Sequence, residues 1–344
     1  MSEFRHAKRE LERSSNLVDH TIQHPVGTRA YTDWAETQTL HVAAMYANPC
    51  RFSARRQLFL DFRRHLASLP NIRLYVGEVA YGDRPFEVTC KNNPDDFQWR
   101  TRDELWHKEN ALNQVIERFD QDWEYGAYCD GDFNFNRHDL GLEAIQELQH
   151  YDWVQLFSQY TDLGPNNEVI RTTPGFAYAY AHGLNINGKP LNNYGWPGSP
   201  GGAWAFRRES FSRCGELLET CILGSADHHM ALGLVGWTKE HPDTHKCGNA
   251  YARSIRIWQE RAYRVVQANI GYVRCHATHG FHGPRSSRGY DWRWKILRDH
   301  DFDPSLDILR DSQGLFRLTE LKPHMRDEIR RYFRLRNEDD IRTS

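Results

Sequence analysis

Apolar residues recur along this chain in two alternating rhythms, short unbroken runs and runs spaced at three and four. Leu40-His41-Val42-Ala43-Ala44-Met45-Tyr46 is nearly continuous, which predicts a strand buried on both faces, closed by the turn signal Asn48-Pro49-Cys50. Leu58, Phe59, Phe62 and Leu66 then fall at helical spacing, predicting a helix from Ser53 to Leu66 with Ser53 as its N-cap. Ile72–Val76 reads as the next strand, and this β-α-β order predicts a parallel sheet with right-handed crossovers. Residues 90–100 read as a loop. Thr101-Arg102-Asp103-Glu104 has the form of a capping box, opening a helix with Leu105, Leu112, Ile116 and Phe119 on one face.

The pattern continues with a strand ending at Cys129, a helix over 138–148, and a strand over 153–157. From Ser158 to Gly201 the periodicity fails and Gly, Pro, Asn and Tyr accumulate, predicting long functional loops. Ala203–Phe206 reads as a strand, 209–221 as a helix, and 225 onward as a helix capped by Ser225. After a polar connector at 240–250 come a helix over 251–266 and a strand over 270–275. The charged tail from Asp301 is helical in places. The expected fold class is α/β, with a mixed, mostly parallel central sheet flanked by helices.

Composition changes this picture only at points. At 344 residues the chain is long enough for one large or two small domains, and a net charge of −2 does not announce a nucleic-acid binder. Seven cysteines without a paired spacing argue against a disulfide framework. The polar start has no apolar signal region, and no run approaches the ~20 apolar residues that span a bilayer. The expectation is a cytoplasmic protein without a membrane partner.

The chemistry concentrates at strand ends. Asp130-Gly131-Asp132 follows an apolar strand directly, where open α/β sheets bind their ligands. Two carboxylates there call for a counter-charge, and a hard divalent cation suits their oxygens. Asp130 and Asp132 are thus candidate ligands for a metal that holds a diphosphate. The same three residues also make an ordinary turn. Arg51, Arg55 and Arg56 gather at the first strand-helix junction, facing a phosphate or simply water. Lys108 sits on or beside an apolar face, seeking an anion or reaching to solvent. Asp227 lies at a helix start, where it is either a favourable first-turn residue or a general base. His276, His279 and His282 are spaced by three, and imidazoles bind divalent metals. A separate zinc site with Cys247 or Cys275 is the alternative for that cluster.

The order of these motifs resembles that of GT-A-fold glycosyltransferases, which use nucleotide-sugar donors, and Asp130-Gly131-Asp132 looks like their DxD motif. Within them it is most similar to a bacteriophage-type group. Trp106-His107-Lys108-Glu109-Asn110-Ala111-Leu112-Asn113, the Asn48–Arg55 stretch, Gly224-Ser225-Ala226-Asp227, and His282-Gly283 followed by Arg288, Tyr290 and Arg293 carry that likeness. It spans roughly residues 40–295.

The resemblance implies Mn2+ or Mg2+ held by Asp130, Asp132 and His282. It implies a nucleotide-sugar donor, first of all a UDP-sugar, contacted by Arg51, Arg55, Lys108, Asn113, Asp130, Gly201, Gly202, Arg285 and Arg288. Asp227 would be the catalytic base. In the irregular stretch, Tyr178, Tyr180, Tyr194 and Trp196 are candidates to stack an acceptor or, alternatively, to pin a long loop to the surface. The expected division of the chain is a polar lead-in at 1–36, a glycosyltransferase-like domain at 37–295 with a nucleotide-binding half at 37–157 and an acceptor half at 158–295, and a helical tail at 296–344 packed on it. The acceptor suggested is phage DNA with hydroxymethylated pyrimidines, with a saccharide or small molecule as the alternative. A metal-dependent phosphoesterase or nuclease, or an inert sugar-nucleotide-binding module, would share parts of the pattern.

Overall fold

The computed structural model describes residues 37–191, 197–237, 247–290 and 292–342; the expected lead-in, Tyr194, Trp196 and most of the polar connector lie outside them. In chain order the main elements begin with β1 (Leu40–Ala47), α1 (Ser53–Ala67), β2 (Ile72–Tyr81), β3 (Asp96–Thr101), α2 (Lys108–Ile116), β4 (Tyr125–Cys129), β5 (Phe133–Phe135) and α3 (Leu140–Glu147). Next come β6 (Trp153–Gln155), β7 (Gln159–Leu163), β8 (Val169–Pro174), α4 (Phe176–Ala181), β9 (Ala203–Arg207), α5 (Arg208–Cys214), α6 (Ala226–Leu234) and α7 (Asn249–Val266). The last part holds β10 (Ile270–Tyr272), β11 (His276–His279), α8 (Arg293–Asp299), a small hairpin over 308–318, and α9 (Pro323–Leu335).

Seven strands form the central sheet in the order β10-β6-β9-β4-β1-β2-β3, mostly parallel, with β9 antiparallel to both neighbours. The expected mixed, mostly parallel sheet is therefore present. β1 shows why its apolar run is continuous. Val42 and Ala44 enter the core beneath α1 and α3, and Ala43 enters the opposite core with α2, α6 and α7. A sheet covered on both faces must be apolar on both.

Several local expectations give way to tertiary contacts. Thr101 does not open a helix: it ends β3, which fills part of the expected 90–100 loop as a parallel edge strand. α2 starts only at Lys108. Ser53 is not the N-cap of α1. Its own N–H and that of Ala54 donate to the Asp339 carboxylate at 3.0 and 2.9 Å, so the cap comes from the far end of the chain. Ser225 does stand at the N-cap of α6, but in a left-handed conformation with no capping bond. Its hydroxyl accepts from Arg293 instead. The helix expected over 209–221 stops at Cys214, where Gly215 turns left-handed. The irregular stretch 158–201 contains the β7–β8 hairpin and α4, and the expected strand at 270–275 stops at Tyr272 as β10, with β11 starting beyond it at His276 in a different sheet.

That second sheet, ordered β5-β11-β7-β8, positions the imidazoles. β5 leaves the end of β4 and pairs antiparallel with β11, placing His279 opposite Phe133. β11 in turn runs parallel to β7, placing His279 beside Asp162.

Candidate active site

The end of β4 and the start of β5 carry Asp130 and Asp132 into a cavity of about 550 Å³. Asp130 is anchored by its N–H, which donates to the Gly202 carbonyl at 2.8 Å. Gly131 is needed there for space: a Cβ would stand 2.2 Å from Cδ2 of the Phe59 ring. Turn freedom does not explain the glycine, because Gly131 is not among the residues with positive φ.

The two acids part company. Asp130 pairs with Lys108 at the start of α2, and Lys108 also lies 5.7 Å from the Tyr128 ring centre. Burial opposes the charge on Lys108, yet Asp130 holds its pKa well above the usual value. The buried lysine thus has the anion its position demanded.

Asp132 faces two imidazoles. Its Oδ2 lies 3.3 Å from Nε2 of His282 and 3.6 Å from Nε2 of His279. The ligand atoms of Asp132, His279 and His282 all fall within 4.8 Å of one another, the one such metal-capable group of His, Cys, Asp or Glu found among the described residues. Asp130 does not belong to it, and no cysteine does. Convergence follows from pairing: the N–H of Gly280 donates to the Asp132 carbonyl at 2.8 Å, extending the β5–β11 ladder.

The residues fit a divalent cation. Oδ1 of Asp132 is buried with no hydrogen-bond partner. Nδ1 of His279 is bonded to Oδ1 of Asp162 at 2.7 Å, which turns its Nε2 toward Asp132. Asp162 is itself held by Arg171 at 2.9 Å. A carboxylate behind a histidine is how metal sites fix the ring. Burial works against charge on Asp132, but His279, His282 and Arg55 keep its carboxyl far below the usual carboxylate range. Burial would also lower His279, and the neighbouring carboxylates outweigh it, raising its pKa to about 9. His282, pushed well down by burial and by Arg288, keeps its lone pair free.

His279 was legible only as one of three histidines. The alternation His276-Ala277-Thr278-His279 is the signal that sets it apart, because it puts His279 on the buried face with Ala277. His276 points the other way, to the Thr161 hydroxyl at 2.9 Å.

Of the other expected residues, Arg55, Gly201, Gly202, Asp227, Arg285 and Arg288 line the same cavity. Asp227 stands in the first turn of α6, its Oδ1 accepting from the N–H of His228 at 2.8 Å. A Cβ on Gly201 would lie 2.7 Å from Oδ2 of Asp227, so only glycine leaves that carboxylate room. Gly202, at φ +96°, is pressed against Phe157 and Phe133 and could carry no side chain.

Four candidates lie elsewhere. Arg51 is exposed and does not line the cavity. Asn113 is spent on structure, bonding the carbonyl and N–H of Leu217 at 3.1 and 2.9 Å. Tyr178 stacks on His182 at 4.2 Å, Tyr180 packs against Trp237 at 6.1 Å, and neither reaches the cavity.

Arginines dominate one wall. Arg55 and Arg336 share the Glu338 carboxylate. Arg285, Arg288 and Arg293 have no carboxylate partner among the described residues, although Arg293 reaches the hydroxyls of Ser225 and Tyr332. Arg336 and Glu338 come from the C-terminal segment, which the sequence pattern did not connect with a site.

Glu109 is a further residue the motifs did not single out. It is 2 % exposed beside Lys108, and burial pushes its carboxyl up from 4.5 to about 8. A folded-state pKa above the unfolded one adds stability that is complete below pH 4.5 and lost as pH rises through 8. Glu109→Gln, which ionises in neither state, is therefore expected to melt with wild type below pH 4.5 and increasingly above it as pH rises to 8, with the gap constant beyond. Thermal melts across that range check this, and parallel curves would show that folding does not raise the Glu109 carboxyl.

No protein-family model and no curated protein sequence matches the chain. Among solved structures it is similar to a mannosyltransferase from Pyrobaculum calidifontis in complex with GDP-Man and Mn2+, at 13 % identity and a TM-score of 0.37, covering 68 % of this chain and 61 % of that one. It is similar to the catalytic domain of Drosophila β1,4-galactosyltransferase 7 in complex with xylobiose, at 12 % identity and a TM-score of 0.35, covering 84 % and 97 %. It is also similar to S. aureus TarS 1–349, at 10 % identity and a TM-score of 0.38, covering 87 % and 71 %. The chain thus spans less than two thirds of the mannosyltransferase's length. Superpositions this loose say nothing about activity, and the cavity itself must carry the functional reading.

Proposed function

We propose that this chain is a metal-dependent glycosyltransferase that moves a sugar from a nucleotide-sugar donor to an acceptor hydroxyl. One observation carries the reading: a single cavity presents a carboxylate–imidazole cluster fit for a cation, arginines without carboxylate partners among the described residues, and a carboxylate set apart at a helix start. Asp132, His279 and His282 would hold a divalent cation, which would supply Lewis-acid stabilisation to a leaving diphosphate. Arg285 and Arg288 add charge-assisted hydrogen bonds to its oxygens. Asp227 takes the proton of the acceptor hydroxyl. Gly201 and Gly202 let the sugar approach the backbone closely. Asp130, tied to Lys108, serves as a polar anchor for the donor.

The resemblance of residues 106–113 and 282–293 to the phage-type group makes a UDP-sugar the first donor to try. It makes DNA with hydroxymethylated pyrimidines the first acceptor, with oligosaccharides beside it. A two-metal phosphoesterase needs two cations about 3.5–4 Å apart, and one carboxylate with two imidazoles is too small a ligand set for that.

The test is a nucleotide-sugar panel read by thermal shift with and without Mn2+, followed by release of nucleoside diphosphate. Binding to the folded state raises the melting temperature. The expected result is a rise with one donor class that needs Mn2+, and diphosphate release from that donor. No stabilisation by any nucleotide sugar, together with phosphodiester cleavage in the absence of donor, would sink the reading.

A further inference from the structure

The chain beyond α9 returns to the cavity and brings Glu338 up to the candidate cation site. Glu338 is 2 % exposed. Its two carboxylate oxygens accept from Nε and Nη2 of Arg55, both at 2.6 Å, and from Nε of Arg336 at 2.6 Å. The same carboxylate lies 3.9 Å from Nδ1 of His282, an atom that is buried and has no hydrogen-bond partner. Nε2 of His282 meanwhile faces Asp132. His282 therefore stands between a ligand carboxylate and a rear carboxylate, as His279 stands between Asp132 and Asp162, but the rear contact is a 3.9 Å charge approach where that of His279 is a 2.7 Å hydrogen bond.

The segment is held in place from both sides. Gly283 adopts φ +81°, and a Cβ there would meet the Asn337 carbonyl oxygen at 2.8 Å and Cα of Glu338 at 2.9 Å. The glycine after His282 thus lets the C-terminal backbone lie directly on the histidine's loop. Asp339, the next residue, caps α1.

We propose that Glu338 is a positioning residue for the cation site: it steadies His282 from behind while fixing Arg55 and Arg336 at the cavity wall. Cation affinity then depends on a carboxylate some 56 positions further along the chain than the ligand it serves. The proposal rests on the assignment of Asp132, His279 and His282 as the cation's ligands.

Mn2+ alone is the probe, titrated into the full chain and followed by the electron paramagnetic resonance signal of the free ion. Rear carboxylates of this kind change metal affinity by roughly 10–100-fold. Glu338→Gln is expected to weaken Mn2+ binding within that range. Glu338→Asp, which keeps a negative charge for the two arginines but draws it back from His282, is expected to weaken it in the same direction and serves if the glutamine variant does not fold. Asp339→Ala, which loosens the same segment without touching the carboxylate, is expected to bind Mn2+ like wild type. Unchanged affinity in the Glu338 variants overturns the proposal, and so does an equal loss in Asp339→Ala, which would assign the effect to packing. Failure of the wild-type chain to bind Mn2+ removes the cation site itself, a result distinct from either.

Discussion

In the proposed sugar transfer, Asp132→Ala will lower the rate by about a thousandfold, and excess Mn2+ will not restore it. A bound cation contributes several kcal/mol to a transition state that develops charge on a leaving oxygen, and each 1.36 kcal/mol is tenfold in rate, so about 4 kcal/mol gives that factor. Asp132 is the one carboxylate in the cluster, and both imidazoles are oriented toward it. Its loss leaves two imidazoles and no carboxylate in the cluster to offset a divalent charge. Turnover with the donor accepted by wild type, measured beside a Mn2+ titration, gives the answer. A variant that keeps its rate while losing Mn2+ would show the cation to be incidental to the chemistry.

Asp227→Asn should cost nearly as much, by another route. General-base contributions run from about 10² to 10⁴ in rate. The asparagine keeps the shape, and its oxygen can still accept from the His228 N–H, so α6 should start as before. It cannot accept the acceptor's proton. The expected signature is a fall in kcat with Mn2+ and donor affinity preserved. A rise in KM at unchanged kcat would instead make Asp227 a binding residue. The space left by Gly201 gives this variant a companion: Gly201→Ala would press on the same carboxylate from the cavity side, because its Cβ would sit 2.7 Å from Oδ2.

Much of the site was written locally. An unbroken apolar run followed by two acids identifies a strand end, and β4 ends where that pattern stops. Lys108 between Leu105 and Leu112 announced a buried cation in need of an anion, and Asp130 is that anion. The failures have a common cause. The capping box at Thr101 and the N-cap at Ser53 are sound local motifs overridden by distant partners, a strand neighbour in one case and Asp339 in the other. Asn113 shares a helix with Lys108, yet it turns to the Leu217 backbone because that loop happens to pack there.

Neighbouring residues alone thus settle most strands and helices, their apolar faces, and the presence of acids, imidazoles and arginines at segment ends. These are properties of positions a few residues apart, where side-chain periodicity and burial decide. Which of those groups meet is a matter of the folded chain. The β5–β11 pairing sets His279 opposite Phe133 and so brings the imidazoles to Asp132, while β7 supplies Asp162 behind one of them. The left-handed Gly283 admits the C-terminal backbone that carries Glu338 to the other. Register between strands more than a hundred residues apart is chosen by the packing of the whole sheet, and no local pattern encodes it.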